Sequence, residues 1–178
     1  MHLNTPERID FLRRAGNVKR FHTVQTVGGT PTVGAHSWGV AVLLDEIWQD
    51  CTKTLLQAAL YHDVAEAILG DVPATAKWDY PTFADAIAET EAQVEKKMGF
   101  TFMLTTEEKA RLKMCDMLEL VLYSFEQIKM GNHNFAVVFE NGVKYLYTNF
   151  EHFSDFRHIK TILDSKLLRL DGIEFFRS

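Results

Sequence analysis

Apolar positions along the chain recur every three to four residues over most of its length, the spacing of one helical face, and the repeats break at glycine and proline. Thr5-Pro6-Glu7 predicts a helix start, with Thr5 as N-cap, Pro6 at the first helical position and an acid in the first turn; Gly16 predicts the stop. Ile9, Leu12 and Ala15 would form its inward stripe, and Arg8, Arg13 and Arg14 its outer face. Residues 17–35, NVKRFHTVQTVGGTPTVGA, are rich in β-branched residues and glycine and cannot hold a helix. They predict a long, ordered, largely extended loop, and such loops in compact domains are usually functional.

A second helix opens at His36, with Val40, Leu43, Leu44 and Ile47 on the same face as that histidine. A third is expected from about Thr54 to Leu69, closed by Gly70 in a left-handed conformation, and Asp71 to Thr75 follows as a loop because proline disfavours helix before it. In the fourth, Thr82 to Met98, Phe83, Ile87, Val94 and Met98 share one side; Glu89, Glu91, Glu95 and Lys96 give it the charge pattern of a solvated outer helix. Thr105 and Glu108 have capping-box spacing and start a long helix through Leu112, Cys115, Leu118, Leu122 and Phe125 to Gly131, its apolar stretch interrupted by Asp116 and Glu119. Asn134 to Phe153 and Ser154 to Leu170 complete the series as helices, although FAVVFENGVKYLYTNF has enough β-branched and aromatic residues for strand. The expected fold is all-α, about six or seven helices round one core in a single domain, residues 1–178.

Composition changes this picture little. An apolar fraction of 47% with 24% charged residues is that of a globular protein, and 178 residues are enough to bury a core. The net charge of −5 argues against general nucleic-acid binding, which depends on Lys and Arg neutralising phosphates. Cys51 and Cys115 make no CxxC pair, so neither a disulfide framework nor a zinc ribbon is indicated. The N-terminus has no signal-peptide pattern and no stretch approaches the ~20 apolar residues of a membrane span. A cytoplasmic protein is expected, in the host cytoplasm if phage-encoded, with no membrane partner.

The chemistry concentrates in Ala58 to Gly70, AALYHDVAEAILG. On a helix, His62 and Glu66 would project into one space with Asp63 at its edge. Ionisable groups in so apolar a segment are costly to desolvate unless paired or metal-bound. An HD dipeptide alone is more often a satisfied core histidine beside solvent-facing acids. With His36 upstream and Asp116 downstream it becomes two imidazoles and two carboxylates, a set that suits borderline divalent metals such as manganese, iron, cobalt or zinc better than calcium.

The order H…HD…D, in AHSWGVA, LYHDVAEAILGDVPATAK and KMCDMLEL, resembles the HD-domain metal-dependent phosphohydrolases. The extended HDxxExxxGDxPxxxK, with His62, Asp63, Glu66, Gly70, Asp71, Pro73 and Lys77, is similar to the YfbR-like 5'-deoxynucleotidases and their small phage dATP triphosphohydrolase relatives. The resemblance covers residues ~1 to 130, by motif order and spacing. It implies that His36, His62, Asp63 and Asp116 hold a divalent metal (cobalt, manganese, zinc or magnesium) and that Glu66 activates water or shuttles a proton. It places Asp71 near the substrate sugar or phosphate and includes Lys77 in the motif. Lys19-Arg20-Phe21 corresponds to an Arg-Trp pair in which the arginine contacts phosphate and the aromatic ring lies against sugar or base. Phe21 departs from tryptophan, keeping a stacking face but losing the indole donor, and Ala35 stands where relatives usually have Glu.

The implied activity is hydrolysis at the 5'-phosphate end of a 2'-deoxynucleotide, with a triphosphate leaving favoured by the short chain and removal of phosphate from monophosphates as the alternative. From another class, a non-catalytic, metal-stabilised nucleotide-binding module would be favoured if Glu66 or a ligand were missing; all are present. The relatives also imply a homo-oligomer. Trp38, Trp48 and Trp78 read as core and interface aromatics, and Met98, Met103, Met114 and Met117 as gap-filling core. His2, His22, His133, His152 and His158 read as surface or packing residues, with His22 adjoining the proposed phosphate loop.

Overall fold

The computed structural model describes residues 4–167, which divide into two compact units at Thr105/Thr106. The first contains α1 (Thr5–Gly16), α2 (Val33–Ile47), α3 (Lys53–Tyr61), α4 (Glu66–Leu69), α5 (Ala74–Asp79) and α6 (Pro81–Met98). The second contains α7 (Thr106–Lys129), a single 3-10 turn (His133–Phe135), α8 (Ala136–Phe150) and α9 (Phe156–Leu167). The all-α expectation holds. The described residues form nine α-helices rather than six or seven, because the expected third helix divides into α3 and α4 and the loop before the expected fourth contains α5. Residues 136–150 are helix, not strand; Leu168 to Leu170 and His2 lie outside the described residues.

In α1 the cap is Asn4, not Thr5: the Asn4 side chain accepts from the Glu7 amide and the Glu7 carboxylate accepts from the Asn4 amide, closing a capping box. The inward face also differs from the expected stripe. Phe11 and Ala15 are buried whereas Ile9 is 52% exposed. Phe11 packs with Val64, Ala65, Val94 and Phe100 in one cluster, so α1 and α6 clamp the turn that follows His62. Arg8 lies over the Phe100 ring and donates to the Met98 and Gly99 carbonyls, capping the end of α6.

The break between α3 and α4 has a local signature. Val64, Glu66, Ala67 and Ile68 donate to the carbonyls three residues back, a tighter winding than α-helix. Gly70 ends the segment at φ 75°, as expected, but with ψ 167°, which sends the chain out extended. The loop from Asn17 is ordered and extended: Lys19 and Thr32 form an antiparallel bridge, and Arg20 N–H donates to the Pro31 carbonyl.

In the second unit α7 is buried on several sides, by Met114, Cys115, Leu118, Val121 and Phe125, and packs against α8 and α9. α8 approaches closely at Gly142, where an added Cβ would lie 2.7 Å from Val121 Cγ2. Met114 and Met117 are buried as expected, but Met103 is 96% exposed and does not fill the core. Trp48 is buried and Trp38 exposed.

Candidate active site

His36 lies in the first turns of α2, 2% exposed, where N-cap Thr32 starts the helix three residues earlier than His36 itself. His62 is the C-cap of α3. Their rings lie 5.3 Å apart between centroids, and Asp63 joins them: His62 Nε2 is 3.4 Å from Asp63 Oδ1, and His36 Nε2 is 3.7 Å from Asp63 Oδ2. His62 Nδ1 is 2.8 Å from the Ala59 carbonyl. A carbonyl partner calls for a proton on Nδ1, and it turns Nε2 towards Asp63 and His36.

The first unit therefore brings together three of the four expected ligands. Ligands about 2.0–2.2 Å from a zinc-like ion lie roughly 3–3.5 Å from one another at ordinary coordination angles, close to the separations of Asp63 from the two histidines. The donor set fits a borderline divalent ion. Asp116 belongs to the second unit, on α7, where its carboxylate takes an ion pair from Lys113 Nζ at 2.6 Å.

Glu66 is the first residue of α4 and is buried, with Oε2 lacking a hydrogen-bond partner. Burial pushes its carboxyl up to about 9, helped by the negative charges of Asp63 and Asp71 and opposed by Arg20 and Lys77. Glu66 is therefore a protonated acid at neutral pH in the metal-free protein. Three residues on from Asp63 through the tightened turn, it lies within that carboxylate's field.

Arg20 Nη1 donates to Asp63 Oδ2 at 2.7 Å, and its guanidinium carbon lies 5.8 Å from the centre of the Phe21 ring. Phe21 is the one non-glycine residue with positive φ among those described, at 56°. Its N–H donates to Asp71 Oδ2 at 3.0 Å, and His22 Nδ1 lies 3.6 Å from the same oxygen. His22 thus adjoins the expected phosphate loop, which its sequence position alone suggested. Lys77 is held by Glu91 across α5 and α6 at 3.1 Å.

Sequence reasoning missed Glu95. The charge pattern puts it on the solvated side of α6, yet it is half-buried; desolvation first, then Glu91 and Asp63, raise its carboxyl to about 7 while His62 lowers it. The signal was the i, i+4 spacing of Glu91 and Glu95 about buried Val94, three residues after the first and one before the second, which leaves both half-buried.

The model of the YfbR-like 5'-deoxynucleotidase family matches residues 7–163. The chain belongs to that family. A 5'-deoxynucleotidase of Vibrio vulnificus is 32% identical over a region covering 44% of this chain and 48% of its own. One from Photorhabdus laumondii is 33% identical over 43% and 47%, so the chain spans about half the length of the curated relatives it matches. Among solved structures, the cyanophage S-2L HD phosphohydrolase DatZ, bound to dA and one catalytic zinc ion, superposes with a TM-score of 0.66 at 21% identity over 94% of this chain and 98% of that one. At that identity the likeness establishes the HD-domain fold.

Proposed function

We propose that this family member is a metal-dependent phosphohydrolase acting on 2'-deoxynucleotides, and that it removes the 5'-phosphate of deoxynucleoside monophosphates. The observation that carries the proposal is the convergence of His36 Nε2 and His62 Nε2 on the Asp63 carboxylate, with the buried Glu66 three residues further along the same turn. The family and both curated relatives are 5'-deoxynucleotidases, which supports the monophosphate. The whole chain would work as one catalytic domain in the cytoplasm.

His36, His62 and Asp63 would hold the ion, with Asp116 as fourth ligand on motif order. A divalent ion in such a site lowers the pKa of bound water and polarises a phosphoryl oxygen. Zinc, which the DatZ neighbour binds, suits the donor set, as do cobalt and manganese. Glu66 would take a proton from the attacking water as a carboxylate and pass it to the leaving oxygen, the charge of the ion offsetting the burial that raises its carboxyl in the metal-free protein. Arg20 presents a fork-shaped cation to the phosphate while oriented by Asp63. Phe21 offers its ring to the sugar or base, with Asp71 behind its amide and Lys77 at the rim. Release of triphosphate from dATP is the second reading; it would leave the same deoxynucleoside that the DatZ neighbour holds.

The decisive experiment incubates purified protein with each dNMP, dNTP and ribonucleotide counterpart plus cobalt, manganese, zinc or magnesium, and separates the products chromatographically. Inorganic phosphate from dNMPs is expected. Triphosphate from dATP would establish the second reading, and no deoxynucleotide turnover with any metal would leave a binding module. Trp38, 66% exposed, and Val42 share an outward face of α2 suited to a homo-oligomer contact. Sedimentation of wild type and Trp38→Ala tests that contact.

A further inference from the structure

The family motif places Asp71 beside the substrate, but its carboxylate here engages the protein's own backbone. We infer that Asp71 is a positioning residue: by accepting the Phe21 N–H it holds Phe21 in its left-handed conformation and thereby sets where Arg20 and Phe21 point.

Positive φ suits glycine; a phenylalanine adopts it only where the surroundings impose it. Here φ is 56°, and among the contacts that hold it is the 3.0 Å bond from the Phe21 amide to Asp71 Oδ2, made across fifty residues of sequence. Asp71 is itself fixed. Its carboxylate is 11% exposed, Gly70 before it turns at φ 75° with its amide on the Glu66 carbonyl, and Pro73 restricts Val72 after it.

On the other side the chain is anchored at Arg20, whose amide is bonded to Pro31, and is closed by the Val24 amide on the Phe21 carbonyl. Between these fixed points the Asp71 bond determines the direction in which residues 20 and 21 leave the backbone. The side chain of one reaches Asp63, and the ring of the other lies 5.8 Å from the guanidinium. With the bond removed, Phe21 can relax to negative φ, which swings its ring and moves Arg20 relative to Asp63. The role needs an acceptor oxygen at residue 71 rather than a negative charge.

This inference deepens the proposed function, and its kinetic test rests on that reading. The rates of dAMP hydrolysis are measured for wild type, Asp71→Asn and Asp71→Ala, and Asp71→Ala is repeated in a Phe21→Gly background, where positive φ is unstrained. Asparagine keeps an acceptor and should stay within about 3-fold of wild type in kcat/KM; alanine should lose at least about 10-fold, mostly in KM. In the glycine background the alanine penalty should shrink below about 3-fold.

Asparagine as poor as alanine, or the same alanine penalty in both backgrounds, would show instead that the carboxylate acts directly on substrate. A second readout needs no turnover: amide hydrogen exchange of the metal-loaded full chain by NMR. Protection of the residue 21 amide should fall at least about 10-fold in Asp71→Ala, with the Val33 amide, bonded to the Val18 carbonyl, unchanged. Unchanged protection at residue 21 overturns the inference. If wild type hydrolyses no deoxynucleotide, the functional proposal fails while the exchange data still decide the role of Asp71.

Discussion

Replacing Glu66 by glutamine should stabilise the metal-free protein and disable it together. The folded carboxyl titrates at about 9, against 4.5 for the exposed group. Because the folded pKa is raised, the folded state binds the extra proton between those values; the carboxyl's contribution to stability is complete below the unfolded pKa and is lost as pH rises towards the folded one. From pH 4.5 to about 7 only the unfolded chain releases the proton, and at about 1.36 kcal/mol per pH unit wild type loses roughly 3 kcal/mol. Glutamine has the shape of the protonated acid and no charge to release. The variant should match wild type near pH 4 and exceed it by ~3 kcal/mol near pH 7, which for a chain of this size is roughly 6–12 °C in Tm. Thermal unfolding of chelator-treated wild type and Glu66→Gln across this range is the assay. Turnover of the metal-loaded variant should fall about 100-fold or more with the metal retained. An equal stability difference at both ends of the range, or none near pH 7, would refute burial of Glu66 as the cause of its shift.

The remaining expectations concern other parts of the molecule. Glu95→Gln should follow the same sign over a narrower window, from 4.5 to about 7. The gain near pH 8 should be only about 1 kcal/mol once solvent screening of a half-exposed group is allowed for, and chelator-treated protein that shows no gain would place Glu95 in open solvent. His62→Ala and Asp63→Ala should lose both bound metal, measured by elemental analysis, and hydrolysis; full turnover without metal would remove the proposed mechanism. Gly142→Ala forces a Cβ to 2.7 Å from the buried Val121 side chain. Overpacking should outweigh the ~1 kcal/mol helix-propensity gain and leave a net loss of about 1–2 kcal/mol in urea unfolding. An unchanged midpoint would show that α7 and α8 can part at that point.

The all-α class, the long helix from Thr106 and the ordered loop before α2 are legible in the sequence because they rest on local physics: the 3.6-residue period, glycine and proline breaks, and clustered β-branched residues. That His36, His62, Asp63 and Glu66 lie together is legible too, since spacing gathers three of them and chemical type selects the fourth. The failures lie where tertiary contacts outvote local preference. Phe11 rather than Ile9 faces inward because Phe100 and Val64 wait on that side. The His62–Glu66 segment is not one straight helix because Val64 and Ala65 are drawn into the same cluster, and the tightened turn aims Glu66. Glu95 looks solvated in a charge pattern, yet a pattern records spacing, not which neighbours remove water. The left-handed Phe21 is likewise invisible in sequence: nothing local asks for it, and its support comes from Asp71, fifty residues away, through a hydrogen bond that exists only once the chain has folded.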